Sequence, residues 1–95
     1  MKNITKNFVR LKELTLLSEY IYPIVVTRKE NGFVVLIYDF CVSFSCDSIN
    51  KCFVLSHEFL EKELKIRHGL PSPTNVNEIK FNKNSQFISS VCVFA

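Results

Sequence analysis

The stretch that most constrains this chain is YPIVVTRKENGFVVLIYDF, residues 22–40. Two runs of β-branched and aromatic residues flank the polar segment KENG, in which Gly32 can adopt a positive φ. This arrangement is typical of an antiparallel β-hairpin, with strands over residues 20–28 and 33–40. Neither run alternates cleanly with polar residues, so both faces of the sheet are predicted to be covered at least in part.

Three further elements are predicted after the hairpin. A short strand is predicted in CVSFS, residues 41–45, and a long helix in residues 46–69. Asp47 or Ser48 can cap the helix start, Gly69 suits a left-handed residue beyond its end, and Pro71 would stop it. The last strand is predicted in FISSVCVFA. This order indicates an α+β fold, an antiparallel sheet of three or four strands with one main helix packed on it.

The long helix has one apolar face at the spacing that packing on a sheet requires. Its members are Ile49, Cys52, Phe53, Ser56, Leu60 and Leu64. A second apolar row of Leu55, Phe59 and Ile66 widens the apolar arc beyond what one sheet needs. We expect the N-terminal segment or another chain to cover this excess.

A length of 95 residues predicts one domain. Residues 1–19 are predicted to be a leader that forms a short helix, and residues 20–95 the domain proper. Charged side chains interrupt residues 1–20, which does not fit a signal peptide, and the longest uncharged apolar run, GFVVLIY, is too short to span a membrane. We therefore expect a cytoplasmic protein without membrane association.

The four cysteines contain no C-x-x-C pair, which is a poor match to zinc-binding patterns. We expect reduced thiols that act as buried small hydrophobic side chains, and no metal or cofactor. The net charge of +3 is spread along the chain, whereas nucleic-acid-binding proteins concentrate basic residues on one face. Direct nucleic-acid binding is not expected from this pattern.

Candidate catalytic residues have simpler structural explanations. Asp39 and Asp47 resemble a pair of metal-binding carboxylates, but a turn residue and a helix cap are expected at those positions. Cys52 and His57 lie five residues apart, which places them about 140° apart around a helix, so they do not meet. Ser56 is expected to fill a close contact between helix and sheet. The pattern favours a protein that is not an enzyme.

Taken in order, these segments resemble the N-terminal domain of HicB-type antitoxins. The matching features are the YPIVV strand, the acidic turn before Gly32, the strand ending in YDF, the helix start at CDS, the GLPSPTNVNEI connector and the final FISSVCVF. The resemblance covers residues 20–94. It implies a partial ribonuclease-H-like fold without catalytic acids, and a protein that binds and occludes HicA, a small messenger-RNA-cleaving toxin.

The sequence departs from the family pattern at several positions. Tyr38 stands where the family usually has Pro, Cys46 where it has Gly, and Cys52 and Ser56 where it has Ala. The chain ends at VCVFA, where many family members continue into a DNA-binding domain, so direct DNA binding is not expected. A leader of this length is also unusual for the family.

These departures leave a second interpretation open. The chain would then be a free-standing phage or mobile-element protein that inhibits a host protein, such as a CRISPR effector or another defence nuclease. Under both interpretations the working surface contacts a protein, and a homodimer is as strongly expected as a heterologous complex. The residues predicted to contact the partner are Asp39, Leu55, Phe59, Ile66, Phe81 and Phe87.

Overall fold

A computed structural model of the chain describes residues 18–66 and 69–94. These residues form an antiparallel sheet of four strands and one long helix. The elements are β1 (Glu19–Lys29), β2 (Gly32–Ile37), β3 (Val42–Cys46), α1 (Ile49–Ile66) and β4 (Gln86–Phe94). The strand order in the sheet is β3-β2-β1-β4. The predicted α+β fold is confirmed. The helix predicted within residues 1–19 lies almost entirely outside the described residues, which begin at Ser18, and Glu19 is the first residue of β1.

The β1–β2 hairpin closes through a loop of two residues, with Lys29 opposite Gly32. Gly32 has φ 143°, and a Cβ atom at this position would lie 2.5 Å from the carbonyl oxygen of Cys46. Glycine is therefore required both by the backbone conformation and by the close approach of β3. The positive φ predicted for Gly32 is confirmed.

The end of β2 differs from the prediction. The strand stops at Ile37, and Tyr38–Phe40 form a short 3-10 helix instead of continuing to residue 40. Cys41 follows in the left-handed conformation, with φ 54° and ψ 38°. The apolar character of residues 38–40 resembled a strand, but the chain must reverse here so that β3 can pair with β2.

The main core lies between α1 and one face of the sheet. Its buried residues come from all four strands and from the helix: Tyr22, Ile24, Val26, Val35, Ile37, Cys46, Cys52, Leu60, Leu64, Val91 and Val93. Ser56 is also fully buried, and its hydroxyl donates to the Cys52 carbonyl at 2.7 Å. The predicted apolar helix face is confirmed at these positions, but Ile49 is exposed because it is the first residue of α1.

The opposite face of the sheet is covered in part, as predicted. Val25 and Pro23 are buried, although alternation along β1 turns their side chains away from the α1 face. Pro23 sits in a central strand, where a missing N–H usually disrupts the ladder. In the β1–β2 register it lies opposite Tyr38, beyond the end of β2. Among residues 18–66 and 69–94 there is therefore no strand on that side for its backbone to pair with.

The connector from α1 to β4 is fixed at two points. The Tyr22 hydroxyl donates to the Pro71 carbonyl at 2.8 Å. The Asp39 carboxylate accepts from the Thr74 N–H at 3.0 and 3.2 Å and from the Thr74 hydroxyl. Farther along, Ile79 is buried outside the main core. The connector is thus an ordered part of the fold.

The ends of α1 match the sequence in part. The Lys51 N–H donates to the Ser48 hydroxyl at 3.1 Å, so Ser48, not Asp47, caps the helix. Gly69 has φ 73°, the left-handed conformation predicted for it. Within residues 18–66 and 69–94, no helix is long and apolar enough to cross a membrane.

Candidate functional site

The six residues predicted to contact a partner occupy different environments. Asp39 is half-buried and holds Thr74. Leu55 and Phe59 pack against the main core. The Phe59 ring meets the ring of Phe40 edge-on, with 5.5 Å between the ring centroids, and the side chain remains half-buried. Part of its cover therefore comes from within the described fold.

The other three predicted contact residues are exposed, and Ile66 lies far from Phe87. Ile66, at the end of α1, is 68% exposed, and Phe81 and Phe87 are exposed in the connector and at the start of β4. The helix begins next to β3, at the end of the sheet where Phe87 also lies, and 17 residue steps of about 1.5 Å carry Ile66 about 25 Å away. Ile66 and Phe87 therefore lie at opposite ends of the fold.

The cysteines also divide into two pairs. Cys46 and Cys52 are buried as predicted, but Cys41 and Cys92 are exposed, so the prediction of buried thiols is wrong for these two. Cys41 lies in the left-handed turn before β3, and Cys92 on a sheet edge. In the part of the chain that the structure describes, no three His, Cys, Asp or Glu side chains form a group that could hold a metal ion.

The strongest candidate site is the outer edge of β4. Among the described residues, β4 pairs with β1 on one side and with no strand on the other. Its nine residues, QFISSVCVF, contain no charged residue and no proline. Natural edge strands are usually protected from further pairing by charges, prolines, bulges or short length. The β4 edge lacks charges and prolines and is long, so it is suited to pairing with another strand.

The register shows which backbone groups of β4 point away from β1, the one strand that pairs with β4 among the described residues. The Arg28 N–H donates to the Ser85 carbonyl at 2.8 Å, one step before the β1–β4 ladder begins. Bonded and non-bonded pairs alternate along an antiparallel ladder. Residues 87, 89, 91 and 93 therefore direct their backbone groups towards β1, whereas Ile88, Ser90 and Cys92 direct theirs outwards.

A shallow groove runs beside this edge, between β4 and α1. Its lining residues are Phe53, Val54, His57, Glu58, Glu61, Ser90, Val91 and Cys92. Phe53 packs on the core and Val91 is buried, whereas Val54 is 47% exposed. The groove therefore joins an apolar floor to a strand edge whose outward hydrogen-bonding groups pair with no other strand of the described fold.

The rim of the groove is acidic. Glu58 and Glu61 are exposed on α1, and the exposed His57 contacts Glu61 through Nδ1 and Oε1 at 2.9 Å. On the other side of the edge, the Cys92 thiol donates to the Glu19 carboxylate at 3.4 Å. Desolvation, followed by this hydrogen bond, raises the pKa of Cys92 above its ordinary value. A strand pairing with β4 thus meets an uncharged edge beside carboxylates.

The second sheet edge is a weaker candidate. β3 is five residues long, against nine for β4. Continuing the same alternation across β1 and β2 directs the backbone groups of Ser43 outwards. Ser43 and Ser90 are therefore equivalent exposed serines on opposite edges of the sheet.

The sequence-based choice of contact residues missed this site. It selected Asp39, three apolar residues of α1, Phe81 of the connector and Phe87 of β4, whereas the groove combines Val54, Glu58 and Glu61 with the strand edge at Ser90 and Cys92. The absence of charge from QFISSVCVF was the available indication. Recognising the edge also required the strand order, because only the topology shows which strands lie outermost.

Comparison with known proteins gave no relative: no family model matches the chain, no curated protein matches its sequence, and no solved structure matches its fold.

Proposed function

We propose that this chain is a non-enzymatic binding domain that pairs β4 with a strand of a protein partner and covers the partner's basic working surface. In the version that the sequence resemblance favours, the chain is a HicB-like antitoxin and the partner is a HicA-type messenger-RNA-cleaving toxin. The observation that carries the proposal is the uncharged outer edge of β4 beside an acidic-rimmed groove.

The energetics require both the edge and the groove. Ile88, Ser90 and Cys92 each offer one N–H and one C=O, which makes 3 × 2 = 6 outward groups. At about 0.5–1.5 kcal/mol for each hydrogen bond, the edge contributes on the order of 3–9 kcal/mol. Association costs about 4–15 kcal/mol in lost motion, so strand pairing alone gives weak binding at best. Burial of apolar side chains in the groove is needed for a stable complex.

The charge of the groove suits the proposed partner. A ribonuclease that holds RNA needs Lys and Arg on its working surface, because phosphate contacts dominate nucleic-acid affinity. Glu58 and Glu61 place carboxylates where such a surface would meet α1. This complementarity predicts that the association rate falls as salt is added, while an apolar floor at Val54 holds the complex together.

Groups that would suit catalysis are already engaged within the fold. The Asp39 carboxylate binds Thr74, and the Ser56 hydroxyl is buried and donates to the Cys52 carbonyl. The exposed His57 has an acidic neighbour on its own helix. These contacts favour binding over chemistry as the role of the chain.

The proposal is tested by capturing partners with the tagged chain and then assaying the captured protein. We expect a small basic ribonuclease whose cleavage of RNA stops when the chain is added in equimolar amount. Capture of a large defence nuclease, inhibited in the same way, would replace the toxin with a host target and keep the occluding role. Capture of further copies of this chain alone, without inhibition of any nuclease, would overturn the proposal.

A matched pair of variants ties the inhibition to the groove. Val54→Lys places a cation among the groove residues and should weaken inhibition at least tenfold, because it opposes burial and repels a basic partner. Ile66→Lys makes the same change at an exposed apolar residue outside the groove and should leave inhibition unchanged. Equal loss in both variants would remove the groove from the binding surface.

A further inference from the structure

Cys46 and Cys52 bring their sulfur atoms together inside the fold. The two Sγ atoms lie 2.7 Å apart. Cys52 is fully buried and Cys46 is 9% exposed, and neither thiol is part of the proposed binding groove. A disulfide bond requires the two sulfurs to approach to about 2.05 Å, so a shift of well under 1 Å separates the present contact from a bond.

We propose that Cys46 and Cys52 are a redox site that is oxidised to an intramolecular disulfide by a peroxide. The proposal rests on the position of the two thiols and is independent of the proposed function.

The backbone on each side holds the two thiols in place. Cys46 is the last residue of β3 and pairs with Phe33 on β2. Cys52 lies in the first turns of α1, where its N–H donates to the Ser48 carbonyl at 3.2 Å and its carbonyl accepts the Ser56 hydroxyl. The strand and the helix are therefore fixed separately, and their packing sets the distance between the sulfurs. Oxidation would join the end of β3 to the start of α1.

Of the two cysteines, Cys46 is the one that borders the surface. Cys46 lines a shallow surface depression together with Asn31, Ser45, Asp47, Lys51 and Leu55. Cys52 does not line it, and burial, followed by the contact with Cys46, raises the pKa of Cys52 to about 12. Cys46 is thus the residue that meets the oxidant, and Cys52 is the residue that resolves the product.

The chemistry balances in two steps. The Cys46 sulfur attacks one oxygen of hydrogen peroxide and the O–O bond breaks. The thiol proton of Cys46 leaves with the departing hydroxide as water, and Cys46 becomes a sulfenic acid. The Cys52 sulfur then attacks the Cys46 sulfur, the S–O bond breaks, and the thiol proton of Cys52 leaves with the hydroxide as a second water. The two thiols lose two electrons, and the peroxide gains them.

The disulfide is expected to stabilise the fold. It would close a short loop between Cys46 and Cys52, which restricts the unfolded chain. For a loop of this length and a chain of this size, the midpoint of thermal unfolding should rise by on the order of 10 °C. A reductant should reverse the rise.

The test uses the full chain with the two exposed thiols removed, Cys41→Ser and Cys92→Ser, so that other disulfides do not form. The chain is treated with hydrogen peroxide, its free thiols are alkylated under denaturing conditions, and its peptides are mapped without reduction. We expect a Cys46–Cys52 cross-link that forms at least tenfold faster in the folded chain than in the chain unfolded in urea. Its formation should coincide with the rise in the melting temperature.

Three results would overturn the proposal. In the first, both thiols are still alkylated after treatment with hydrogen peroxide. In the second, Cys46 is oxidised irreversibly while Cys52 remains a free thiol. In the third, the cross-link forms at the same rate in the folded and the unfolded chain. The further variant Cys52→Ala supplies the control for stability. Its melting temperature should not rise on exposure to peroxide, and an equal rise there would assign the effect to another modification.

Discussion

Replacing Asp39 separates a structural role from a binding role. Its carboxylate accepts hydrogen bonds from two donors of Thr74, the backbone N–H and the hydroxyl, and thereby ties the connector to the turn after β2. Hydrogen bonds to a charged group contribute about 1.5–3 kcal/mol each, but Asp39 is half-buried, so water replaces part of the loss. We expect Asp39→Ala to lower the free energy of unfolding by about 2–3 kcal/mol.

Urea unfolding followed by circular dichroism measures this loss, and thermal unfolding should show a midpoint lower by about 10 °C or more. Thr74→Val removes the hydroxyl and keeps the backbone N–H, so it should cost about 1 kcal/mol. Glu30→Ala changes an exposed residue of the hairpin loop and should alter stability by less than about 0.5 kcal/mol. Unchanged stability of Asp39→Ala together with weaker partner binding would refute the structural role and restore Asp39 as a contact residue.

Two further predictions concern the core and its protonation. Phe59→Ala should lower the free energy of unfolding in urea by about 3 kcal/mol, because it removes the ring that packs on Phe40. Ile66→Ala, at an exposed site, should lower it little, and equal losses would place Phe59 outside the core. Burial raises the pKa of Cys52 from 9.0 to about 12 and also raises that of Tyr22, so the unfolded chain releases these protons at lower pH than the folded chain does. The contribution of these groups to the free energy of unfolding should therefore be complete below pH 9.0 and fall as the pH rises from 9.0 towards 12. The fall between pH 9.0 and 10 should be smaller in Cys52→Ala, and equal falls in the two proteins would contradict the raised pKa of Cys52.

The hairpin and the main helix could be predicted because their signals are local. The residues that form β1 and β2 are β-branched or aromatic, and a turn containing glycine separates them. The buried positions Cys52, Ser56, Leu60 and Leu64 recur at helical spacing, so they indicate one packed face without knowledge of the rest of the fold.

The ends and the lateral contacts could not be predicted in the same way. Residues 38–40 are apolar enough for a strand, and only the need to return into β3 explains why they turn. Phe59 looked like surplus apolar area because the rings that cover it, Phe40 and Phe44, lie far from it in sequence. The bond from Thr74 to Asp39 spans 35 residues and has no sequence pattern that predicts it.

The candidate site was predictable only in kind. The sequence predicted a working surface that contacts a protein, but of the residues chosen for it only Phe87 lies in β4, and none of them lines the groove. The groove depends on α1 lying beside β4, so that Val54 and Glu58 come near Ser90 although more than 30 residues separate them in sequence. Tertiary packing, not local sequence, creates that proximity.

Proline substitution on the two sheet edges tests the central claim most directly. The N–H of Ser90 points away from β1, so Ser90→Pro removes a donor from the outer edge of β4 without removing a hydrogen bond of the sheet. Ser43→Pro makes the same change on the outer edge of β3. Affinity for the captured partner should be measured by calorimetry for both variants, after circular dichroism has shown that they fold. We predict at least a tenfold loss for Ser90→Pro and little change for Ser43→Pro, whereas full affinity in folded Ser90→Pro would contradict strand pairing at β4.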